Sequence, residues 1–393
     1  SRRMRFTKVF LVAVLVCLLS QLALSEKPKK PRFPKSTYKT TAKIFIEGKV
    51  AKPMYDSAVV ILNEAISFYP DDAELYFLLG KAYYHKNMPK EMGEQFTQAE
   101  SLKIKSKFEK EIQQMKTEKW LQVFNQGVKG FNEQDVDLAL EKFAICAIVD
   151  PQDYRGFMNA GYAHSLKGEN DEALSYLEDG IKLAPDSLDI LKIYASALYN
   201  AGKTKKALEV SLKITQKDPE DVNTLNDIIS IYGALKDFDN ALLYSQKLIE
   251  VDSSFQAAYF NIGWIYIQQI QEINSSPDSL KDTTGAYKTD EKSKVKIEEL
   301  EKRRSELFTK AETTLKKAVE LDTLDLEAQL LLAQAYLGQE KFDQAIATLE
   351  FLVQKDSTNC EALVRLWGLY AKQKMEEKAN QIGQKAQDCL KEE

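Results

Sequence analysis

Few residues in this chain could carry covalent or acid–base chemistry. Its 393 residues include two histidines, His85 and His164, and four cysteines, Cys17, Cys146, Cys360 and Cys389. Metal and general acid–base sites bring several such groups to one point. The chain has no Gly-rich phosphate loop, no G-x-S-x-G and no H-E-x-x-H. Its carboxylates fall at helix-face spacings, where solvation accounts for them. The reading is a non-enzyme, with no catalytic residues, no metal and no cofactor. Asn274-Ser275-Ser276 has the form of a glycosylation sequon, a triplet that also arises by chance.

Composition narrows the class further. Hydrophobic residues make up 44% and charged residues 29%, as in a soluble folded protein. Ten prolines and 16 glycines are too sparse for a turn-rich β chain, so helices are expected. The formal net charge is −5, and Arg2, Arg3, Arg5 and Lys8 stand unopposed in the first 25 residues. The mildly acidic remainder lacks the clustered Lys and Arg that phosphate neutralisation needs, which argues against nucleic acid as a partner.

Those N-terminal basic residues precede the apolar run Val9 to Leu19 and the small-residue pattern Ala23-Leu24-Ser25. Residues 1–25 therefore read as a secretory signal cleaved after Ser25. The run is eleven residues long, against the roughly 20 that span a bilayer. An uncleaved anchor is the alternative, and membrane contact is expected only through it. Cys17 is an apolar filler of this run. The expected setting is exported: periplasm or secreted in a bacterium, the secretory lumen in a eukaryote. Residues 26–43, with Pro28, Pro31 and Pro34 among seven basic residues, read as an extended linker.

The elements that position everything else come from a repeat. Pro151, Pro185 and Pro219 lie 34 residues apart, each preceded twelve positions earlier by Ala139, Ala173 or Ala207. Ala345 and Ala379 keep the same step. A first helix carries a large residue, a Leu-Gly-like pair three on, and an aromatic three further, as in Tyr76, Leu79, Gly80, Tyr83 and in Tyr259, Ile262, Gly263, Tyr266. A second helix carries Ala, a large apolar residue and a small residue, as in Ala173, Leu177, Gly180 and in Ala311, Leu315, Ala318. These spacings give each helix one apolar stripe.

The chain thus resembles the tetratricopeptide-repeat (TPR) family, whose signature is this period with W-x2-L-G-x2-Y…A-x3-F…P. The resemblance implies an all-α fold: an α-solenoid, a right-handed superhelix of about nine TPR helix pairs with a concave protein-binding groove. Units fall at 39–72, 73–106, 120–153, 154–187, 188–221, 222–255, 256–325, 326–359 and 360–393. Two departures interrupt them. Residues 107–119 are extra and keep Phe108, Ile112 and Met115 at helical spacing, so the second helix of its unit is expected to run on and a kink to follow. Between Tyr266 and Ala311, 36 residues are inserted. Of these, Ser275 to Asp290 reads as loop and Glu291 to Leu321 as an overlong projecting helix. The resulting divisions are signal 1–25, linker 26–43, N-terminal units with an extended helix 44–119, regular units 120–267, insertion 268–303 and C-terminal units 304–393.

By the resemblance, first-helix positions 2, 5, 6, 9, 12 and 13 face the groove. They supply the aromatics Tyr84, Phe124, Phe131, Tyr162, Tyr199, Phe260 and Trp264. Position 6 supplies Asn125, Asn159, Asp227 and Asn261, with Ile193 interrupting. Amides can bond a peptide backbone and aromatics can anchor it; alternatively the aromatics pack between units and the amides are merely solvated. The Lys and Asn carboxylate clamp of chaperone-binding members is absent, since position 9 reads Lys81, Val128, Tyr162, Ser196, Ser230, Trp264, Gln334 and Gly368; Arg155 and Lys192 are the only basic residues at clamp-like positions in adjacent units. His164, at the repeat's Tyr position, is expected in the core and His85 at the surface. Cys146 takes a buried small-residue position. Cys360 and Cys389 open and close the last unit, where an antiparallel pair could bring them to disulfide distance; bridged and free forms both fit. Two functions follow: a scaffold holding an extended peptide or partner protein in its groove, or an assembly component contacting partners through its convex face or helix 291–321. The sequence leaves the oligomeric state open.

Overall fold

The computed structural model describes residues 30–48, 52–275 and 290–392. The expected signal 1–25, Cys17 and the central part of the polar insertion lie outside these residues. The chain is all-α and of the α-solenoid kind. The described residues form eighteen helices and no strand, in two compact units divided after Gly202. Unit 1 holds α1 (Lys35–Glu47), α2 (Tyr55–Phe68), α3 (Ala73–His85), α4 (Pro89–Ser101), α5 (Ser106–Asn132), α6 (Val136–Val149), α7 (Tyr154–Leu166), α8 (Asn170–Leu183) and α9 (Leu188–Asn200). Unit 2 holds α10 (Thr204–Lys217), α11 (Val222–Ala234), α12 (Phe238–Val251), α13 (Gln256–Asn274), α14 (Glu291–Leu321), α15 (Leu326–Gly338), α16 (Phe342–Lys355), α17 (Cys360–Lys372) and α18 (Glu376–Glu392). Odd-numbered helices up to α9 are the first helices of unit 1. In unit 2 the first helices are α11, α13, α15 and α17.

Four hairpins close on a first-helix glycine, Gly80, Gly127, Gly161 and Gly263. A Cβ on Gly161 would stand 2.6 Å from Leu177 Cγ, and one on Gly263 would stand 2.4 Å from Leu315 Cγ. Only a residue without a side chain lets the second helix lie this close. The turn inside a hairpin ends the first helix with one residue in the left-handed region, such as Gly168, Lys236 or Lys374. After it the backbone reaches back into the helix: Lys374 N–H bonds Ala371 O at 3.2 Å and Met375 N–H bonds Tyr370 O at 2.8 Å. This satisfies carbonyls that a helix end leaves open. The turn between hairpins ends at an N-cap: Asp72, Asp153, Asp221, Asp325 and Asn359 each accept a bond from a first-turn N–H.

First helices touch along each stack: α1 with α3, α3 with α5, α7 with α9, and in unit 2 α11 with α13 and α13 with α15. They form the inner side from α1 to α5, from α7 to α9 and from α11 to α15, whereas between α5 and α7 it is the second helices α4 and α6 that touch.

Two expectations need correction. The linker does not extend to residue 43, because α1 begins at Lys35. Tyr38, Ala42, Phe45 and Ile46 recur at helical spacing and are buried, and Lys35, Lys39 and Lys43 bridge to Asp72 and Glu74 at 2.7–3.1 Å. Nor does the second helix before residue 107 run on. It stops at Ser101, where Lys103 takes a φ of 55° and buried Ile104 N–H bonds Ala99 O. The extra residues instead lengthen the following first helix, α5, to 27 residues. Phe108 meets Phe77 at 4.6 Å between centroids, and Lys116 bridges to Glu100 at 2.9 Å. At this junction α4 and α6 approach so closely that a Cβ on Gly93 would stand 2.7 Å from Val149 Cα.

In unit 2 the insertion lengthens both helices of one hairpin, α13 to 19 residues and α14 to 31. Ile267 and Ile270 are buried in one cluster with Leu307, Phe308 and Leu315. Glu312, 7% exposed, accepts from Lys316 at 2.6 Å, Lys341 at 2.5 Å and Gln339 at 2.8 Å, so it ties this hairpin to the next. Burial alone would raise its pKa. The three donors outweigh burial and hold it at about 2.

Candidate functional site

Inner-face positions of α5, α7 and α9 carry an uncommon set of side chains. Leu121 and Val128 on α5 are 50% and 38% exposed, Tyr162 and Leu166 on α7 are 39% and 52% exposed, and Tyr199 on α9 is 39% exposed. These are large apolar groups at positions 2, 9, 9, 13 and 12 of three successive first helices. Exposed large apolar groups recurring at groove positions are candidates for an interaction surface. Phe124 and Phe131 form its floor. Phe124 stacks on Trp120 at 4.6 Å and meets Phe143 edge-on at 5.2 Å, while Phe131 contacts Phe143 at 5.2 Å and Tyr162 at 5.5 Å. Both are half-buried, so they hold the patch in place more than they present it.

The remaining groove candidates in unit 1 have varied surroundings. Asn125 is exposed. Asn159 donates to Arg155 O, one turn back on its own helix, at 2.8 Å. Tyr84 donates to Glu118 at 2.7 Å and lies under Lys119 at 5.0 Å. The bond to Glu118 raises its pKa. Arg155 is engaged by Asp153 and covers the Trp120 ring at 4.4 Å. The sequence reading missed Leu121 and Leu166, and took Val128 only as a missing clamp residue. Their hydrophobicity at groove positions was the available signal.

Unit 2 presents a different inner face. Phe260 and Trp264 are half-buried, with Trp264 in one cluster with Phe238, Ala241 and Ile265. A Cβ on Gly233 would stand 3.2 Å from the Trp264 ring. Asn261 donates to Asn226 on the neighbouring first helix at 3.1 Å. Asp227 is exposed, and its pKa is raised by the protein around it and by Asp221. Here the aromatics are packing groups, as the alternative reading had it.

Helix composition differs between the units as well. In unit 1 the first helices carry eleven basic and six acidic residues, the second helices three basic and eleven acidic. In unit 2 the first helices carry two basic and four acidic residues, the second helices eighteen and sixteen.

The reactive residues are structurally employed. His85 is exposed and stacks on Tyr55 at 5.1 Å. His164 is half-buried, pairs with Glu169 at 2.6 Å and stacks on Tyr176 at 5.3 Å. Cys146 is fully buried, and burial pushes its thiol up to about 12. Cys360 and Cys389 are bonded, with Cα atoms 5.4 Å apart. Among the described residues no group of three or more His, Cys, Asp or Glu could hold a metal, and no helix is long and apolar enough to cross a membrane. Asn274 is the last residue of α13, and Ser276 of its sequon lies outside the described residues.

This arrangement of hairpins is a helical-repeat fold. Two segments of the chain, residues 158–222 and 304–372, match models of the tetratricopeptide repeat. No curated protein matches the chain. Among solved structures, a tetratricopeptide repeat protein from Parabacteroides merdae is 18% identical, with a TM-score of 0.47, covering 69% of this chain and 93% of its own. MamA from Desulfovibrio magneticus is 14% identical, with a TM-score of 0.41, covering 53% and 97%. TTC0263 from Thermus thermophilus is 17% identical, with a TM-score of 0.37, covering 56% and 99%.

Proposed function

We propose that this protein is a non-enzymatic scaffold that captures a segment of a partner protein on the inner face of unit 1. The observation that carries this reading is the patch of Leu121, Val128, Tyr162, Leu166 and Tyr199, each at least 38% exposed, on three neighbouring first helices. Leaving such groups in water costs about 25 cal/mol per Å² of apolar surface. A partner that covers them recovers that free energy, and exposed aromatics are favoured anchors. The basic-then-apolar layout of residues 1–25 supports an exported setting, checked by the N-terminal mass of the protein purified from its host.

A photo-crosslinking residue placed at Leu166 on the inner face, or at Glu172 on outer helix α8, tests the surface in the native host. A discrete crosslinked protein is expected from position 166 and not from 172. Equal products at both positions, or none at 166, contradict the reading.

A further inference from the structure

Capture by the unit 1 face depends on the spacing of the helices that carry it. Leu121 and Val128 stand on α5, Tyr162 and Leu166 on α7. Both helices pack along α6, which lies between them in the chain. They also meet through Phe131 and Tyr162 at 5.5 Å, and through Arg155 over the Trp120 ring at 4.4 Å.

The seats of α6 differ from the other helix contacts. A Cβ on Gly130 of α5 would stand 2.8 Å from Ala139 N, and one on Gly156 of α7 would stand 2.7 Å from Ala147 N. Gly93 of α4 meets the same helix at Val149 Cα. At all three, backbone lies on the backbone of α6. At the other described helical glycines with a neighbour in reach, the nearest atom belongs to a side chain, as with Leu177 at Gly161 and Leu315 at Gly263. A side chain can turn aside, whereas a helix backbone has to move as a body. Glycine is a poor helix residue, yet at these seats nothing larger lets α5 and α7 lie so close to α6.

Resting on the reading above, we infer that Gly130 and Gly156 are positioning residues of the capture face. They hold α5 and α7 against α6 at the spacing where one partner segment covers the apolar groups of both. Helix α6 is fixed in turn by Gly93, and its Ala139, Phe143, Cys146 and Val149 are fully buried. The face is therefore preformed, and a partner does not have to order it.

The test uses the full chain with Trp264→Phe and Trp367→Phe, which leaves Trp120 of the three tryptophans. Trp120 is 4% exposed under Arg155, the neighbour of Gly156. Acrylamide quenching of its emission therefore reports the seat of α7. Gly156→Ala has to move α7 by about 1 Å, the difference between 2.7 Å and ordinary contact. It is expected to raise the quenching and to lower the crosslink yield from Leu166 at least about tenfold, because a face that must reorder loses affinity. Gly130→Ala is expected to lower the yield likewise. Gly263→Ala, crowded by a side chain in unit 2, and Gly368→Ala, with nothing within 4 Å, are expected to leave quenching and yield at the parent's values. Parent-level yield from Gly130→Ala or Gly156→Ala overturns the assignment. So does a yield that follows melting temperature alone across the four variants. If the two variants do not fold, hydrogen exchange of the parent decides: α6 is expected to exchange more slowly than α8, whose Gly180 meets a side chain, and equal exchange overturns the assignment. If Leu166 of the parent crosslinks no partner, the capture reading falls and this assignment with it; a parent that crosslinks beside an unaffected Gly156→Ala sinks the assignment alone.

Discussion

The two units are built from one repeat but treat its inner positions in opposite ways. In unit 1, Tyr162 at position 9 of α7 stands 39% exposed beside a half-buried Phe131. In unit 2, Trp264 at the same position of α13 is packed with Phe238, Ala241 and Ile265. An aromatic at a groove position can thus be a binding group or a packing group, and its neighbours decide which. Beside Trp264, Gly233 opens space for the ring; beside Tyr162, Leu166 and Val128 extend the exposed surface. One unit therefore leaves apolar groups exposed, which we propose meet a partner, and the other consumes the same residue type in its own stability.

Substitutions at this shared position break the comparison most sharply. Tyr162→Ala is expected to weaken partner capture by about 2 kcal/mol, roughly 30-fold, while leaving thermal stability nearly unchanged. Trp264→Ala is expected to cost about 3 kcal/mol of stability and leave capture intact. Binding titration and thermal melting of both variants check the pair, and a melting loss for Tyr162→Ala equal to that of Trp264→Ala would abolish the distinction.

Unit 2 also has a covalent tie. Helix α18 packs with small residues, fully buried Ala386 and 8% exposed Ala379, so little apolar area holds it. The Cys360→Ser, Cys389→Ser variant is expected to lose about 3 kcal/mol by the chain-entropy argument. Trypsin cleavage after Lys378 and Lys385 should then accelerate while unit 1 stays resistant. A smaller effect comes from Glu312. Its folded pKa of about 2 lies below the unfolded carboxylate value, so its contribution is complete above about pH 4.3 and lost as pH falls toward about 2. Glu312→Gln is expected to cost about 2 kcal/mol at neutral pH, with the gap to the parent closing in melts taken near pH 2. Smallest is the hairpin turn. The left-handed turn position is held by Asn87, Gln134, Gly168 and Gly202 in unit 1 and by Lys236, Glu340 and Lys374 in unit 2. Glu340→Gly is expected to raise stability by about 1 kcal/mol, because a side chain is penalised in that conformation.

Much of this was legible in the sequence, because a repeat writes its geometry as a period. The 34-residue step and the Leu-Gly-like pairs set the hairpins, since only glycine fits between Gly263 and Leu315. What failed was local. The alternation of Tyr38, Ala42, Phe45 and Ile46 already spelled a helix, but the prolines and lysines around it suggested a linker. Residues 107–119 carry helical spacing without direction, and the turn that assigns them to α5 depends on Lys103, which has no glycine to announce it. Groove positions could be named, but exposure at them is a property of neighbours that a single period does not encode. Phe124 and Leu121 sit three residues apart; one became floor and the other surface.

The central claim is that the inner face of unit 1 is where the partner sits. Hydrogen–deuterium exchange on the protein alone and with its captured partner tests this directly. The account predicts slowed exchange confined to 121–132, 154–166 and 188–200, with α11 and α13 unchanged. Slowing on α11 and α13, or on the outer helices of unit 1, would contradict it.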